Sequence, residues 1–115
     1  MDSNNISREL IGASAIPLIL AVLKEGDSYG YEIIQKIYDL SGEKIKWKDG
    51  SLYPVLKKLE NQKLIESYWN TEGPRARRYF RLLPDGDSQL KAEFMNWSLV
   101  NKMMNTLCQP LLDSI

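Results

Sequence analysis

Apolar residues recur at helical spacing in four stretches of this chain, and alternate with polar ones in two short stretches between the third and the fourth. From Ser7 to Glu25 the stripe runs through Leu10, Ile11, Ala15, Leu18, Ile19, Val22 and Leu23, which predicts a first helix. Pro17 lies inside it and has no N–H to donate. A kink is therefore expected there, with the Ala13 carbonyl left unpaired, the alternative being a later start near Ser14. Gly26 stops this helix. Asp27 or Ser28 is expected to cap a second one, running to about Leu40 with Gly30, Ile33, Ile34, Ile37 and Tyr38 on its buried side. A helical glycine costs about 1 kcal/mol relative to alanine, so Gly30 suggests that another backbone or helix packs closely against it. Ser41-Gly42 ends the second helix. Glu43 to Lys48, where Ile45 and Trp47 alternate with lysines, reads as an extended linker or a small edge strand. Residues 1–5 are polar and expected to be loose.

The third stretch, Asp49 to Glu60, has two dissimilar faces. Leu52, Leu56 and Leu59 form a stripe fit for a core, while Tyr53, Lys57 and Asn61, with Pro54 and Lys58 beside them, look the other way. Asp49 or Ser51 is the expected cap, and Pro54 is expected in or near the first turn, where a missing N–H costs least. Leu64–Trp69 and Arg77–Leu83 read as two strands joined by a turn over residues 70–76, punctuated by Gly73-Pro74. A lone hairpin is marginal in water, so this one must lean on the helices. Pro84-Asp85-Gly86 reads as a turn, and a last helix is expected from about Asp87 to Gln109, about 35 Å at ~1.5 Å per residue. Helix, helix, helix, hairpin is the order of a winged helix-turn-helix. The fold expected is mainly α with a small β-hairpin wing, plus one long C-terminal dimerisation helix. Residues 1–84 would be the DNA-binding domain, first helix included, and residues 85–115 the dimerisation helix and tail.

Charge changes this picture more than composition does. The 115 residues hold 15 basic and 15 acidic side chains. Residues 44–81 concentrate ten of the basic ones against four acids, a net +6, leaving −6 on the remainder. A basic segment on a neutral body fits a nucleic-acid face. On the third helix, Lys57 and Lys58 suit phosphates, as does Lys48 just before it. Ser51 and Tyr53, with Pro54, lie nearer the end that would meet base edges or backbone oxygens. Arg75, Arg77 and Arg78 cluster at the hairpin tip, where guanidinium forks bind phosphate or probe a narrow minor groove. The competing reading of such a run is a solvated charge cluster.

On the last helix, Leu90, Phe94, Trp97, Asn101, Met104 and Cys108 follow a heptad-like seam, widened by Val100, Met103 and Leu107. A helix this long and this apolar usually finds a partner, and a second copy of the chain is expected. No histidine occurs, which removes histidine-based catalysis and most transition-metal sites, and Cys108 is the one cysteine, with no basic group near it to activate it. No enzyme, cofactor or metal is expected. The apolar run Ile16–Leu23 is too short to span a bilayer, so no membrane partner is expected and the chain reads as cytoplasmic.

Four stretches carry a resemblance. They are Tyr29-Gly-Tyr-Glu-Ile33, Gly50-Ser-Leu-Tyr-Pro-Val-Leu-Lys-Lys-Leu-Glu60, Leu64-Ile-Glu-Ser67 and Arg77-Arg-Tyr-Phe-Arg-Leu82. Together they resemble the PadR family of bacterial transcription regulators. The single terminal helix with Phe94-Met-Asn-Trp-Ser98 is similar to that of the short, multidrug-binding LmrR type. The resemblance implies a homodimeric repressor of a nearby gene, bound to a double-stranded operator and relieved by a planar aromatic compound. In the LmrR type such compounds stack between two symmetry-related tryptophans at the dimer centre. Trp97 matches that tryptophan, and Leu10, Ala13, Ile16 and Pro17 match pore-wall positions of the first helix. Asn101 stands where the LmrR type has an acidic residue, one turn after the tryptophan. The alternatives are a constitutive winged-helix regulator with no small ligand and a winged-helix protein–protein adaptor.

Overall fold

The computed structural model describes residues 6–113; the expectation for residues 1–5 lies outside them. The described chain folds as α1 (Arg8–Glu25), β1 (Ser28–Tyr29), α2 (Gly30–Leu40), α3 (Asp49–Asn61), β2 (Ile65–Asn70), β3 (Arg77–Leu82) and α4 (Pro84–Asp113). This is the winged-helix order, with one added strand.

α1 starts where Ser7 caps it, the Ser7 Oγ accepting from the Leu10 N–H at 3.2 Å. It runs through Pro17 without interruption, so the later start near Ser14 is not used. Ile19, Leu20, Val22 and Leu23 are buried from this helix, Ile33 and Ile37 from α2, and Leu52, Leu56 and Leu59 from α3; Ile65 and Phe80 close the cluster from the sheet. Burying a side chain of this size contributes ~1.5–3 kcal/mol, so α3 is fixed chiefly by its three leucines. Ile34 and Tyr38 on α2 are only half-buried.

Several local expectations are corrected. Neither Asp27 nor Ser28 caps α2. Ser28 is drawn into β1, which pairs antiparallel with β3 at Ser28↔Phe80 and Tyr29↔Tyr79, and the sheet order is β1-β3-β2. Residues 43–48 form no strand. The Ser41 hydroxyl accepts from the Lys44 and Ile45 N–H groups at 3.2 and 2.9 Å, which curls the segment back on the end of α2. α3 is preceded by Lys48, with no side-chain cap; Asp49 is its first residue, where an acid suits the helix dipole. Pro54 falls in the second turn, where it deprives the Gly50 carbonyl of a partner; Gly50 is exposed, so solvent can supply the bond.

The largest departure is α4, whose 30 residues amount to about 45 Å of helix. Pro84-Asp85-Gly86 is its first turn rather than a separate turn. Proline at the first helical position forgoes an N–H that would be unpaired anyway, and Asp85 and Asp87 favour the positive end of the dipole. Gly86 is buried because this turn lies on the root of the hairpin. A Cβ there would sit 2.0 Å from the Leu64 carbonyl oxygen and 2.7 Å from Leu82 Cδ1. The same Leu64 oxygen accepts from the Leu83 N–H at 3.0 Å. Asp87 is held between Lys24 (Nζ–Oδ1 2.7 Å) and Lys91 (Nζ–Oδ2 3.2 Å), and hydrogen bonding from Lys24, then Lys91, pulls its pKa below the usual carboxylate value. α1 packs along α4, and Leu90 reaches the core. Beyond that point α4 continues with its apolar side chains largely exposed. Among the described residues no helix is long and apolar enough to cross a membrane.

Candidate nucleic-acid interface

The hairpin presents two different faces, because successive residues of a strand point to opposite sides. Register pairs Ser67↔Phe80 and Trp69↔Arg78, so these four share the face turned toward α3. The other face is a ladder of tyrosines. Tyr29 and Tyr68 flank Tyr79 with ring centroids 5.2 and 5.8 Å away. Arg77 lies over the Tyr29 ring at 4.4 Å and Arg81 over the Tyr68 ring at 4.7 Å. The Tyr68 hydroxyl donates to Asp27 at 2.7 Å, which raises the phenol's pKa, and Arg81 reaches Asp27 and Glu66 at 3.3 Å each. The ladder anchors the base of the wing and fixes where Arg77 emerges.

Between α3 and the wing lie two open clefts. One, of about 460 Å³, is lined by Tyr53, Lys57, Glu60, Asn61, Arg78 and Phe80, with Leu56 at its floor. The other, of about 390 Å³, runs from the N-terminal ends of α2 and α3 to the hairpin and includes Tyr31, Tyr53, Trp69, Arg75 and Arg77. Tyr53 separates them. Its hydroxyl rests where a Cβ on Gly30 would lie, at 2.5 Å, so the glycine admits the tyrosine that joins α3 to α2. The helix that packs against Gly30 is α3, and it does so through the Tyr53 side chain rather than through its backbone. A helix with a tyrosine-lysine front, beside a wing carrying exposed arginines and aromatics, has the chemistry to hold phosphates and base edges.

A family model, the transcriptional regulator PadR-like family, matches residues 19–92, the span from the buried half of α1 to the start of α4. The chain belongs to the PadR-like family. It is similar to a transcriptional regulator from Clostridium thermocellum, at 36% identity and a TM-score of 0.79, over 88% of this chain and 96% of the other. It is also similar to a PadR family transcription regulator from Clostridium difficile R20291, at 30% identity and a TM-score of 0.72, over 82% and 97%. An uncharacterised protein of Lysinibacillus sphaericus is 28% identical over 108 residues, 92% of this chain and 98% of that one. PadR regulators bind DNA and commonly dimerise; they are transcription regulators rather than enzymes.

On this PadR-like frame, all nine residues expected at DNA are exposed: Lys48, Ser51, Tyr53, Pro54, Lys57, Lys58, Arg75, Arg77 and Arg78. Tyr53, Lys57 and the three arginines come together around the two clefts. Ser51 instead lines a smaller groove of about 190 Å³ on the opposite side, with Ile11, Ala15, Trp47 and Val55. Tyr31 and Trp69 in the second cleft, at 67% and 66% exposure, were not singled out as DNA-facing from sequence. Tyr31 falls outside the buried stripe expected of α2, but only the fold brings it and Trp69 to one cleft.

The residues expected at a dimer seam and ligand site lie on α4 and α1. Phe94, Val100, Asn101, Met104 and Leu107 are exposed, while Leu90, Trp97 and Cys108 are half-buried. On α1, Leu10 and Ala13 are exposed, and Ile16 and Pro17 half-buried. The three clefts described above contain none of the six ligand-site residues Leu10, Ala13, Ile16, Pro17, Trp97 and Asn101.

Proposed function

We propose that this PadR-like protein is a homodimeric repressor, that its two copies meet through α4, and that a planar aromatic compound bound at the dimer centre releases it from its operator. The observation that carries the reading is the uncovered side of α4. Phe94, Val100, Met104 and Leu107 are each more than half exposed in the single chain, on a helix that extends well past its own core. An apolar stripe of this length is a recognition surface, and a second α4 is its natural complement.

In this reading residues 1–84 bind DNA and residues 85–115 join the copies. Each subunit lays the Tyr53–Lys58 front of α3 in the major groove, with Lys48 at its leading end and Pro54 on the groove wall. Arg75 and Arg77 reach the flanking backbone or minor groove. Trp97 and its symmetry mate form the two sides of the ligand site, with Asn101 one turn away and Leu10, Ala13, Ile16 and Pro17 as walls from α1. The ligand acts by preferring one separation of the two α3 helices over another, since only differential affinity can shift such an equilibrium. Resemblance to the LmrR type supports the tryptophan assignment.

The test is titration of wild type and Trp97→Ala with a planar DNA-intercalator-like dye, followed by gel shift on the DNA upstream of its own gene. Wild type is expected to take up dye and lose DNA, and Trp97→Ala to keep DNA but lose the dye. Dye uptake unaffected by the substitution would move the site elsewhere. No uptake at all would leave a constitutive regulator, and no shift on DNA would favour an adaptor.

A further inference from the structure

Arg78 is placed unlike its two neighbours on the wing. Its Nη2 donates to both carboxylate oxygens of Glu60, at 3.1 and 3.3 Å, and to the Ser67 hydroxyl at 2.8 Å; its Nε donates to the same hydroxyl at 3.0 Å. Ser67 in turn donates to Glu60 Oε2 at 2.6 Å. The guanidinium carbon also lies 5.7 Å from the centre of the Phe80 ring. Three elements are joined by this one group: Glu60 is near the end of α3, Ser67 is in β2 and Arg78 is in β3. Register explains how. Arg78 is opposite Trp69, and Ser67 is the diagonal neighbour two residues on, within reach of a long side chain on the same face.

Glu60 makes this arrangement matter for DNA. It lines the cleft between the recognition helix and the wing, where a bare carboxylate would repel a phosphate. Arg78 neutralises it, so the pair adds no net positive charge to the surface. What the pair supplies is geometry, because it sets the wing at a fixed distance from α3.

We propose that Arg78 is a positioning residue rather than a phosphate contact: with Glu60 and Ser67 it braces the wing against the recognition helix, so that α3 and Arg75 engage DNA in one register. This rests on the family's DNA-binding role, while the brace itself exists in the free protein.

The experiment compares wild type, Arg78→Gln, Glu60→Gln, the double variant and Arg75→Ala by fluorescence anisotropy over a salt series. The probe is a duplex selected from a random pool by the wild-type protein. Bracing predicts that Arg78→Gln and Glu60→Gln each weaken binding about five-fold, the scale of a partly exposed ion pair, and that the double variant is no worse than either. Both should keep the wild-type salt slope, whereas Arg75→Ala should lower it by about 0.9, one phosphate's worth. Glu60→Gln binding more tightly than wild type, or Arg78→Gln flattening the slope like Arg75→Ala, would overturn the proposal. Hydrogen exchange without DNA supplies a separate readout. Amides of residues 70–73, 75 and 76 should exchange faster in both single variants, and unchanged exchange would equally overturn it. Failure to select any duplex would count against DNA binding, and the exchange result would still decide the brace.

Discussion

The inward stripe of α3 and the outer stripe of α4 use the same spacing and similar residues, yet they end in opposite environments. Leu52, Leu56 and Leu59 are at most 2% exposed, whereas Phe94, Met104 and Leu107 are 69%, 55% and 75% exposed. The difference lies in what the rest of the chain supplies. α1, α2 and the sheet form a wall for α3, while α1 covers only the first part of α4 before α4 outruns it. Apolar periodicity therefore identifies a face that must be covered, and leaves open whether the cover belongs to the same molecule.

Matched truncations on the two stripes should differ most. Leu56→Ala removes a side chain with no room to relax and should destabilise the chain by ~2–5 kcal/mol in urea unfolding. Leu107→Ala, studied dilute enough to be monomeric, should change stability by no more than about 0.5 kcal/mol. Equal losses would mean that α4's outer half is covered within the chain. A second contrast pairs two helical glycines. Gly86→Ala forces a methyl against the Leu64 carbonyl and should cost ~1–3 kcal/mol, as overpacking does. Gly12→Ala meets nothing within 4 Å and should stabilise by up to about 1 kcal/mol through helix propensity.

The smallest effect concerns acid. Asp87 has its pKa lowered in the folded state by Lys24 and Lys91. Its contribution is therefore complete above the unfolded value of about 4 and disappears as pH falls from there through the depressed folded value. Asp87→Asn should be less stable than wild type near neutrality, and the gap should close in acid melts below about pH 4. A gap that widened in acid would reverse the assigned sign.

Much of this was legible in the sequence because it depends on local periodicity. The three buried leucines of α3, the hairpin and its arginine tip all follow from spacing and turn residues. What escaped depends on contacts distant along the chain. Ser28 and Tyr29 form a strand only because Phe80 and Tyr79 arrive beside them, and two residues carry no period of their own. Arg78 reads as one arginine in a run of three until the fold brings Glu60 and Ser67 to it. Pro84-Asp85-Gly86 is ambiguous for a different reason. The same three residues suit a turn or a first helical turn, and the choice was made by Gly86 fitting against Leu64. On α3, Tyr53 and Lys57 do lie on the exposed face that periodicity gives them, while Ser51 lines the groove beside α1.

The proposed dimer makes the α3–wing core complete within one chain and leaves α4 to be covered by a second copy. Sedimentation velocity of wild type beside Phe94→Glu/Met104→Glu tests it most directly, with circular dichroism and urea melts on the same samples. Wild type should sediment at twice the chain mass and the double variant as a folded monomer, its α3–wing core retaining a cooperative transition. A double variant that still sediments as a dimer would contradict it, and so would a wild type that is monomeric at the highest concentration reached.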